Sequence, residues 1–274
     1  MLRRDLFSFV FIAALLNAMI RPMREHIAEF GIWEGSINGF GISFIVWFAI
    51  FCSLDLLRKS SAKAFTHYDS IIAVVAMTML VIPSAFVSWL ALAFFSIYCA
   101  FFANKNAPLG RNASLIMTAV SMRIPISDIC LKISADALLK FDALATLSFL
   151  KMLGIQASRQ GNIIIGAEGH ELLIMTGCAS FTNISLALLL WFTILRANIK
   201  TWHSGLTLCV APLIALVVGI NVFRLSMMAR SKELYFFYHD GLGADIISAL
   251  ILLTSIAMAL LCLSFERRGR AYAL

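Results

Sequence analysis

Three residue types that together can perform thiol chemistry stand near the same end of three successive apolar segments late in the chain. Cys178 begins one segment, Arg224 lies near the end of the next, and His239 precedes the last. A cysteine thiolate is a nucleophile, histidine can serve as its base and then as the acid for a leaving amine, and arginine can stabilise a developing negative charge. These residues therefore predict acyl transfer through a covalent thioester, with Cys178, Arg224 and His239 as the catalytic set.

The surroundings of these residues fit such roles. Thr176, Gly177 and Cys178 lead into the first turn of the next predicted helix, where unsatisfied N–H groups and the helix dipole stabilise a thiolate. Arg224 lies in the apolar run GINVFRLSMMA, where a charge is costly unless it faces the interior of a helix bundle. Asn221 precedes it by three residues on the same helix face, which predicts a substrate-binding role for its amide.

Each of these residues also has an ordinary structural interpretation. A cysteine in a membrane helix usually packs, an arginine near a helix end can extend to the interface, and a loop histidine is commonly exposed. Three matched types at one depth favour a site over three coincidences. His170, between Glu168 and Glu171, is the competing base and ranks below His239 because an exposed turn explains it easily.

The remaining cysteines predict no metal or redox centre. The six cysteines of the chain show no C-x-x-C spacing, so neither zinc nor a cofactor is expected. Cys130 lies on an apolar helix face, and a disulfide between Cys130 and Cys178 stays open as an alternative in an oxidising compartment. The other four are interpreted as packing residues: Cys52, Cys99, Cys209 and Cys262.

Composition distinguishes a membrane protein from a soluble one here. Hydrophobic residues make up 61% and charged residues 14%, with a mean hydropathy of +0.90, well beyond the range of soluble domains. An integral membrane protein is therefore predicted, as a single domain over residues 1–274. The net charge of +7 does not indicate a nucleic-acid partner, because the basic residues are scattered between apolar segments and form no patch.

Apolar segments of helix length predict an all-α polytopic bundle of about eight transmembrane helices. The first four form an N-terminal part over residues 1–110, and the rest belong to a catalytic part over 111–274. Pro83 blurs the boundary between the third and fourth segments, so six helices with re-entrant pieces stay an alternative. The segments are 5–20, 37–57, 70–87, 89–103, 112–126, 179–196, 204–228 and 243–263.

Basic residues predict the orientation in the membrane. If the N-terminus is cytoplasmic, the inner segments hold twelve of the 22 Lys and Arg residues, whereas the short outer loops hold four: Arg21, Arg24, Arg230 and Lys232. Cytoplasmic loops carry the excess of basic residues. We therefore expect an inner (plasma) membrane protein with both termini cytoplasmic and the three candidate catalytic residues extracytoplasmic.

The long segment between the fifth and sixth apolar segments predicts surface structure. Asp128, Lys132, Asp136 and Lys140 alternate in sign every four residues, opposite an apolar face, as in a helix lying in the outer interface. Residues 154–176 contain short apolar runs broken by glycines, which predict a small extracytoplasmic β-hairpin.

The order of motifs in residues 110–263 resembles the exosortase and archaeosortase family of polytopic cysteine transpeptidases. The motifs are LKMLG, RQGNIII, TGCAS opening a helix, NVFRL near the end of the next, and YHDGLG opening the last. The resemblance implies that Cys178, Arg224 and His239 form the catalytic set and that Asn221 matches the asparagine that commonly precedes the arginine. One departure is Ser180, which stands where the family usually has glycine.

The resemblance also implies the partners. The substrates would be secreted proteins with a C-terminal motif, a transmembrane helix and a basic tail, cut beside that helix and transferred to another acceptor in contact with membrane lipid. Two other classes stay open. One is a non-catalytic scaffold for envelope or polysaccharide assembly, and the other is a small-solute transporter, although no repeat or midplane charge cluster favours transport.

Overall fold

The computed structural model describes residues 2–166, 169–199 and 204–271. Within these ranges the fold is dominated by helices, with three short strands between the fifth and sixth. The helices are α1 (Arg3–Ile37), α2 (Phe44–Arg58), α3 (His67–Met79), α4 (Ala85–Tyr98), α5 (Pro108–Met152), α6 (Ser180–Asn198), α7 (Ser204–Thr207), α8 (Val210–Met228), α9 (Lys232–His239) and α10 (Leu242–Ala271). The strands are β1 (Ser158–Gln160), β2 (Ile163–Ile165) and β3 (Glu171–Leu173).

Six helices in the described part of the chain are long and apolar enough to cross a membrane, against the eight expected. They cover Arg3–Ile37, Ala85–Ala103, Pro108–Met152, Ser180–Asn198, Gly205–Met228 and Leu242–Glu266. The other two expected spans, 37–57 and 70–87, contain α2 and α3, which have only 15 and 13 residues. At 1.5 Å per residue they reach roughly 22 and 20 Å, short of a hydrocarbon core of about 30 Å.

The first helix is longer than the segment expected at 5–20. It continues through Pro22 to Ile37, with a break in helical geometry at Gly31, where φ is 81°. Arg21 and Arg24, expected in a loop, therefore lie within the helix, and Arg21 pairs with Glu25 at 2.9 Å.

The segment expected as a separate interfacial helix is the second half of α5. This helix runs unbroken for 45 residues and contains Pro125, where a boundary was expected. Helical periodicity continues on both sides of the proline, and at 1.5 Å per residue the helix measures roughly 68 Å, more than twice the hydrocarbon thickness. Its charged stretch can therefore lie outside the hydrocarbon, and Asp136 and Lys140 pair there at 2.7 Å.

The chain forms two compact units. Unit 1 comprises Met1–Ile126 with Phe192–Trp202, and unit 2 comprises Ser127–Trp191 with His203–Leu274. In unit 1, α1 packs along α4 and α3. Phe95 receives the edges of Phe7 and Phe11 with ring centroids 5.4 and 5.7 Å apart, an aromatic core of favourable geometry.

In unit 2, α8 packs against α9 and α10, and one apolar cluster joins α5, the strands and the end of α8. The three strands form an antiparallel sheet in the order β1-β2-β3, in the segment where a hairpin was expected. Its buried face presents Ile164 and Leu172. A Cβ on Gly166 would overlap the carbonyl oxygen of Ala229, so the sheet lies directly on the C-terminal end of α8. Glycine permits this close approach.

The structure corrects two expectations about cysteines. Cys130 and Cys178 are both free, so the alternative of a disulfide between them is wrong. Cys209 and Cys262, interpreted as packing residues, are joined as a disulfide that links the start of α8 to the C-terminal half of α10. In the orientation expected from the basic residues, this end of the helices faces the cytosol. Thiols are kept reduced there, so a disulfide at this end does not fit that orientation.

Candidate active site

Cys178 lies just before α6 rather than in its first turn. It ends a 3-10 turn, Thr176–Cys178, in which its N–H donates to the carbonyl oxygen of Met175 at 2.9 Å. Ala179 is extended, and α6 begins at Ser180. The side chain is buried, with 7% exposure, in the apolar cluster of unit 2.

The N-terminus of α6 is occupied by a buried carboxylate from α5. Asp142 Oδ2 accepts the Ser180 N–H at 2.9 Å, and Oδ1 accepts the Ser180 hydroxyl at 2.7 Å. Asp142 itself is only 2% exposed. A carboxylate at this position satisfies an otherwise unpaired N–H and interacts favourably with the helix dipole. The helix end that was expected to stabilise a thiolate at Cys178 is therefore already bonded to Asp142.

Asn221 joins α8 to this turn. Its Nδ2 donates to the carbonyl oxygen of Cys178 at 3.0 Å and to the hydroxyl of Ser180 at 3.1 Å, while its Oδ1 accepts from Asn183 at 3.2 Å. The residue is fully buried. Both amide hydrogens are used inside the protein, so Asn221 holds the main chain around Cys178. The substrate contact expected for it stays a prediction.

Arg224 lies one helical turn after Asn221 and contacts α9. Its Nε donates to the carbonyl oxygen of Tyr238 at 2.9 Å, and the side chain is partly buried. None of the ion pairs among the described residues includes Arg224. The guanidinium has further donors beyond Nε, and these remain suited to a carbonyl or carboxylate oxygen of a ligand.

His239 is the last residue of α9, a short helix capped at its start by the Ser231 hydroxyl. Its ring stacks on Tyr235, four residues earlier, with centroids 4.9 Å apart. Asp240 Oδ1 lies 2.7 Å from Nδ1, but the angles are unsuitable for a hydrogen bond, so this buried nitrogen has no hydrogen-bonding partner in the described ranges.

α9 also carries an acidic residue, Glu233, close to His170, the competing candidate base. Hydrogen bonds from its own backbone N–H and from Ser231 lower the pKa of Glu233, with smaller contributions from the charges of Lys232 and His170. Glu233 is exposed at the surface of unit 2.

His170 stays close to the candidate base in space. Its ring meets Tyr235 edge-on at 6.1 Å, so that His170 and His239 contact the same tyrosine ring. The Nε2 of His170 is buried without a hydrogen-bonding partner among the described residues. Glu168, which with Glu171 flanks His170 in the sequence, lies outside the described residues.

The contacts connect the three predicted catalytic residues through α8. Asn221 bonds to the main chain of Cys178, and Arg224 bonds to the residue before His239. Tyr235 and Tyr238 of α9 pack against the same apolar cluster that contains Cys178. Among the described residues no hydrogen bond or ion pair joins the sulfur of Cys178 to Arg224 or His239. The structure therefore links the main chain at Cys178 and the main chain beside His239 to α8, without a contact between the reactive atoms.

Sequence reasoning missed Asp142, although a signal was present. The residues three and four positions away on the same helix, Leu138, Leu139, Ala145 and Thr146, include no base. A carboxylate without a basic neighbour at helical spacing and on an apolar face needs a partner elsewhere in the fold. Asp142 differs in this respect from Asp136, which has Lys140 four residues later.

Comparison of the chain with protein-family models, curated proteins and solved structures gives no match.

Proposed function

We propose that this chain is a multi-pass membrane cysteine peptidase or transpeptidase of exosortase-like type, acting through Cys178 at the extracytoplasmic surface of the plasma membrane with both termini in the cytoplasm. One observation carries the proposal. Successive turns of α8 bond to the main chain of Cys178 through Asn221 and to the main chain beside His239 through Arg224. This arrangement supports a shared site because a single rigid helix sets the spacing of the nucleophile, the cation and the base.

The chemistry follows from the residue types. The Cys178 sulfur attacks the carbonyl carbon of a peptide bond while the thiol proton passes to His239, and Arg224 stabilises the negative oxygen of the tetrahedral intermediate. The carbon–nitrogen bond then breaks as His239 returns the proton to the departing amine, which leaves a thioester on Cys178. Water or an acceptor amine attacks this thioester and regenerates the thiol. Asp142 and Asn221 would position Cys178 without contacting the substrate.

The resemblance suggests the substrate class. Secreted proteins with a C-terminal motif, a transmembrane helix and a basic tail would approach through the membrane, so the peptide bond beside their helix would meet the sheet and α9 end of unit 2. The partly buried ring of His239 and the partly buried guanidinium of Arg224 suit a site at such an interface.

The decisive experiment replaces Cys178 in the cells that produce this protein. Mass spectrometry of their membrane and secreted proteins is expected to show tailed proteins that lose the C-terminal helix in wild-type cells and retain it with Cys178→Ala. Arg224→Ala and His239→Ala are expected to give the same accumulation. Cys130→Ala is the matched control, because Cys130 is free and partly exposed but lies outside the site.

The proposal fails if no tailed protein differs in mass between wild-type and Cys178→Ala cells, provided that the wild-type protein and the variant accumulate in the membrane to equal levels. If processing survives His239→Ala but stops with His170→Ala, the base is His170, whose ring contacts the same tyrosine.

One observation favours a second candidate, a non-catalytic scaffold. Cys178 is buried in an apolar cluster, and buried structural cysteines are inert. Maleimide labelling separates the two functions. A scaffold predicts that Cys178 reacts more slowly than Cys130 under all conditions, whereas an enzyme predicts labelling of Cys178 that depends on His239 and Arg224.

A further inference from the structure

Unit 1 contains a polar cavity of about 90 Å³ at one end of its helices. The start of α1 and the connection between α2 and α3 supply part of its wall, and the segment leading into α5 completes it. Arg3, Arg4, Lys63 and Lys105 line this cavity together with asparagine and serine side chains. No carboxylate is among the lining residues. The candidate active site in unit 2 does not use any of these groups.

The cavity carries positive charge that the described residues do not neutralise. Arg3 is paired with Asp69 at 2.9 Å and is thereby compensated. Arg4 has only Asp5 at 3.8 Å, a long contact with a half-exposed side chain. Lys63 and Lys105 form no ion pair with any residue that the structure describes. Like charges held around one cavity repel each other unless an anion lies between them.

Part of this basic wall is fixed by hydrogen bonds within the fold. The Arg3 N–H donates to the carbonyl oxygen of Lys63 at 2.8 Å, which fixes the α2–α3 connection to the start of α1. Arg4 Nη1 donates to the carbonyl oxygens of Arg58 and Ser60 at 3.1 and 3.5 Å. A basic residue that only sets membrane orientation needs no such fixation. Arg3 and Arg4 are therefore fixed at a formed cavity, as in an anion site, and the exposed side chains of Lys63 and Lys105 can extend toward a ligand there.

The apolar part of the wall indicates which anion. Phe7, Leu57 and Phe102 lie beside the basic groups, and Phe102 is largely exposed. The cavity lies where spanning helices begin or end, at Arg3, Ala103 and Pro108. Ends of spanning helices lie at the level of the lipid headgroups. A phosphate with attached acyl chains would meet the cations and the exposed aromatic ring together.

We propose that this cavity binds the phosphate of an anionic phospholipid headgroup, with an acyl chain along Phe102. The phosphate oxygens accept from Arg4, Lys63 and Lys105, and Arg3 shapes the site through its contacts with Asp69 and Ala103. The proposal is independent of catalysis by Cys178, so either can fail without the other.

The test compares lipid retention by the purified full chain. Native mass spectrometry counts the phosphatidylglycerol molecules that remain bound after detergent washing, with phosphatidylcholine as the zwitterionic reference. The double substitution Lys63→Gln and Lys105→Gln is expected to lower the affinity for phosphatidylglycerol roughly thirtyfold, the equivalent of about 1 kcal/mol for each removed charge. Lys59→Gln is the matched control, because Lys59 is nearby and equally charged but is paired with Asp55 at 2.6 Å outside the cavity.

Each outcome either supports or overturns the phospholipid site. Loss of phosphatidylglycerol in the double variant and not in Lys59→Gln, with an unchanged melting temperature in phosphatidylcholine, supports the site. Equal retention by wild type and double variant overturns it. Excess inorganic phosphate that displaces the lipid and gives the same thermal stabilisation assigns the cavity to free phosphate and overturns the lipid. If the double variant melts early, Lys63→Arg with Lys105→Arg must restore both stability and retention, and failure to restore retention contradicts the proposal.

Discussion

Unit 1 and unit 2 each bury an aspartate, and the two carboxylates are satisfied in different ways. Asp69 in unit 1 is fully buried and accepts hydrogen bonds from Arg3, Tyr98 and Thr66, so a guanidinium balances its charge. Asp142 in unit 2 accepts only from the N–H and hydroxyl of Ser180. It forms no ion pair among the described residues.

This difference indicates different tasks. The pair of Asp69 and Arg3 joins α1 to α3, and the Tyr98 hydroxyl adds α4, so this carboxylate holds helices together. Asp142 places a buried carboxyl group at the start of α6, whose first residue is two positions after Cys178, and the helix dipole is its electrostatic partner there. Any stabilisation of a thiolate at Cys178 must therefore come chiefly from cations such as Arg224, because the helix end already serves Asp142.

The largest effect is expected from removing one member of the buried pair in unit 1. Asp69→Ala leaves the Arg3 guanidinium, only 16% exposed, without its carboxylate. Breaking a buried ion pair from one side costs about 3–5 kcal/mol, because the remaining charge stays desolvated. Unfolding of the purified protein in mild detergent, followed by thermal melting or denaturant titration, measures this loss.

The double substitution Arg3→Met with Asp69→Leu is the matching control. Replacing both charges with apolar groups of similar volume is expected to recover most of the lost stability. A double variant as unstable as Asp69→Ala would show that hydrogen bonds to Thr66 and Tyr98, rather than the charge pair, hold these helices together.

The contrast between the two carboxylates also shows which contacts can be predicted from the sequence. Composition and apolar segments were sufficient for a helical membrane protein, and the spacing of Asp136 and Lys140 was sufficient for their ion pair, because both depend on local pattern. The partner of Asp142 is 38 residues away. Helical periodicity carries no information about such a contact, and the absence of a local base was the only available hint.

Six described helices reach spanning length, and the expected count of eight is not confirmed, for a local reason that hydropathy does not register. The segment 37–57 begins with a tight turn at Gly39, Phe40 and Gly41, all with positive φ, and α2 starts only after the Ser43 cap. In the segment 70–87, α3 ends at Met79, and the Ser84 hydroxyl caps α4. Turn and cap residues inside an apolar run shortened both helices below spanning length.

A smaller effect is expected from neutralising the carboxylate of unit 2. In Asp142→Asn the amide oxygen still accepts from the Ser180 N–H, but the amide NH2 faces the Ser180 hydroxyl and donates to it, so the hydroxyl proton loses its buried acceptor. We expect a loss of about 1–3 kcal/mol in the free energy of unfolding. The start of α6 is also expected to open, so that a small maleimide labels Cys178 faster than in the wild type.

Asp136→Asn is the matched control, because Asp136 lies on the same helix but is exposed and paired with Lys140. Its expected cost is less than about 0.5 kcal/mol, with no change in labelling of Cys178. Ser180→Ala removes the hydroxyl between Asp142 and Asn221 and is expected to cost about 1 kcal/mol. Equal effects of Asp136→Asn and Asp142→Asn would contradict the special position of Asp142.

The smallest effect concerns pH and tests the charge on Asp69. Burial by itself raises the pKa of Asp69, but hydrogen bonds from Thr66 and Tyr98 and the charge of Arg3 outweigh it and hold the pKa below the ordinary value. A carboxyl whose pKa is lower in the folded state contributes stability at pH above its unfolded pKa. That contribution is lost as pH falls through the folded pKa.

The difference in unfolding free energy between the wild type and the Arg3→Met, Asp69→Leu variant isolates this contribution. We expect the difference to be constant near neutral pH and to shift against the wild type only in strongly acidic buffer, as Asp69 becomes protonated. Because the other acidic groups are common to both proteins, their titration cancels in the comparison. A difference that stays constant down to acid unfolding would mean that the charge of Asp69 contributes nothing to the free energy of unfolding. Asp69 would then not differ from Asp142 in relying on an ion pair.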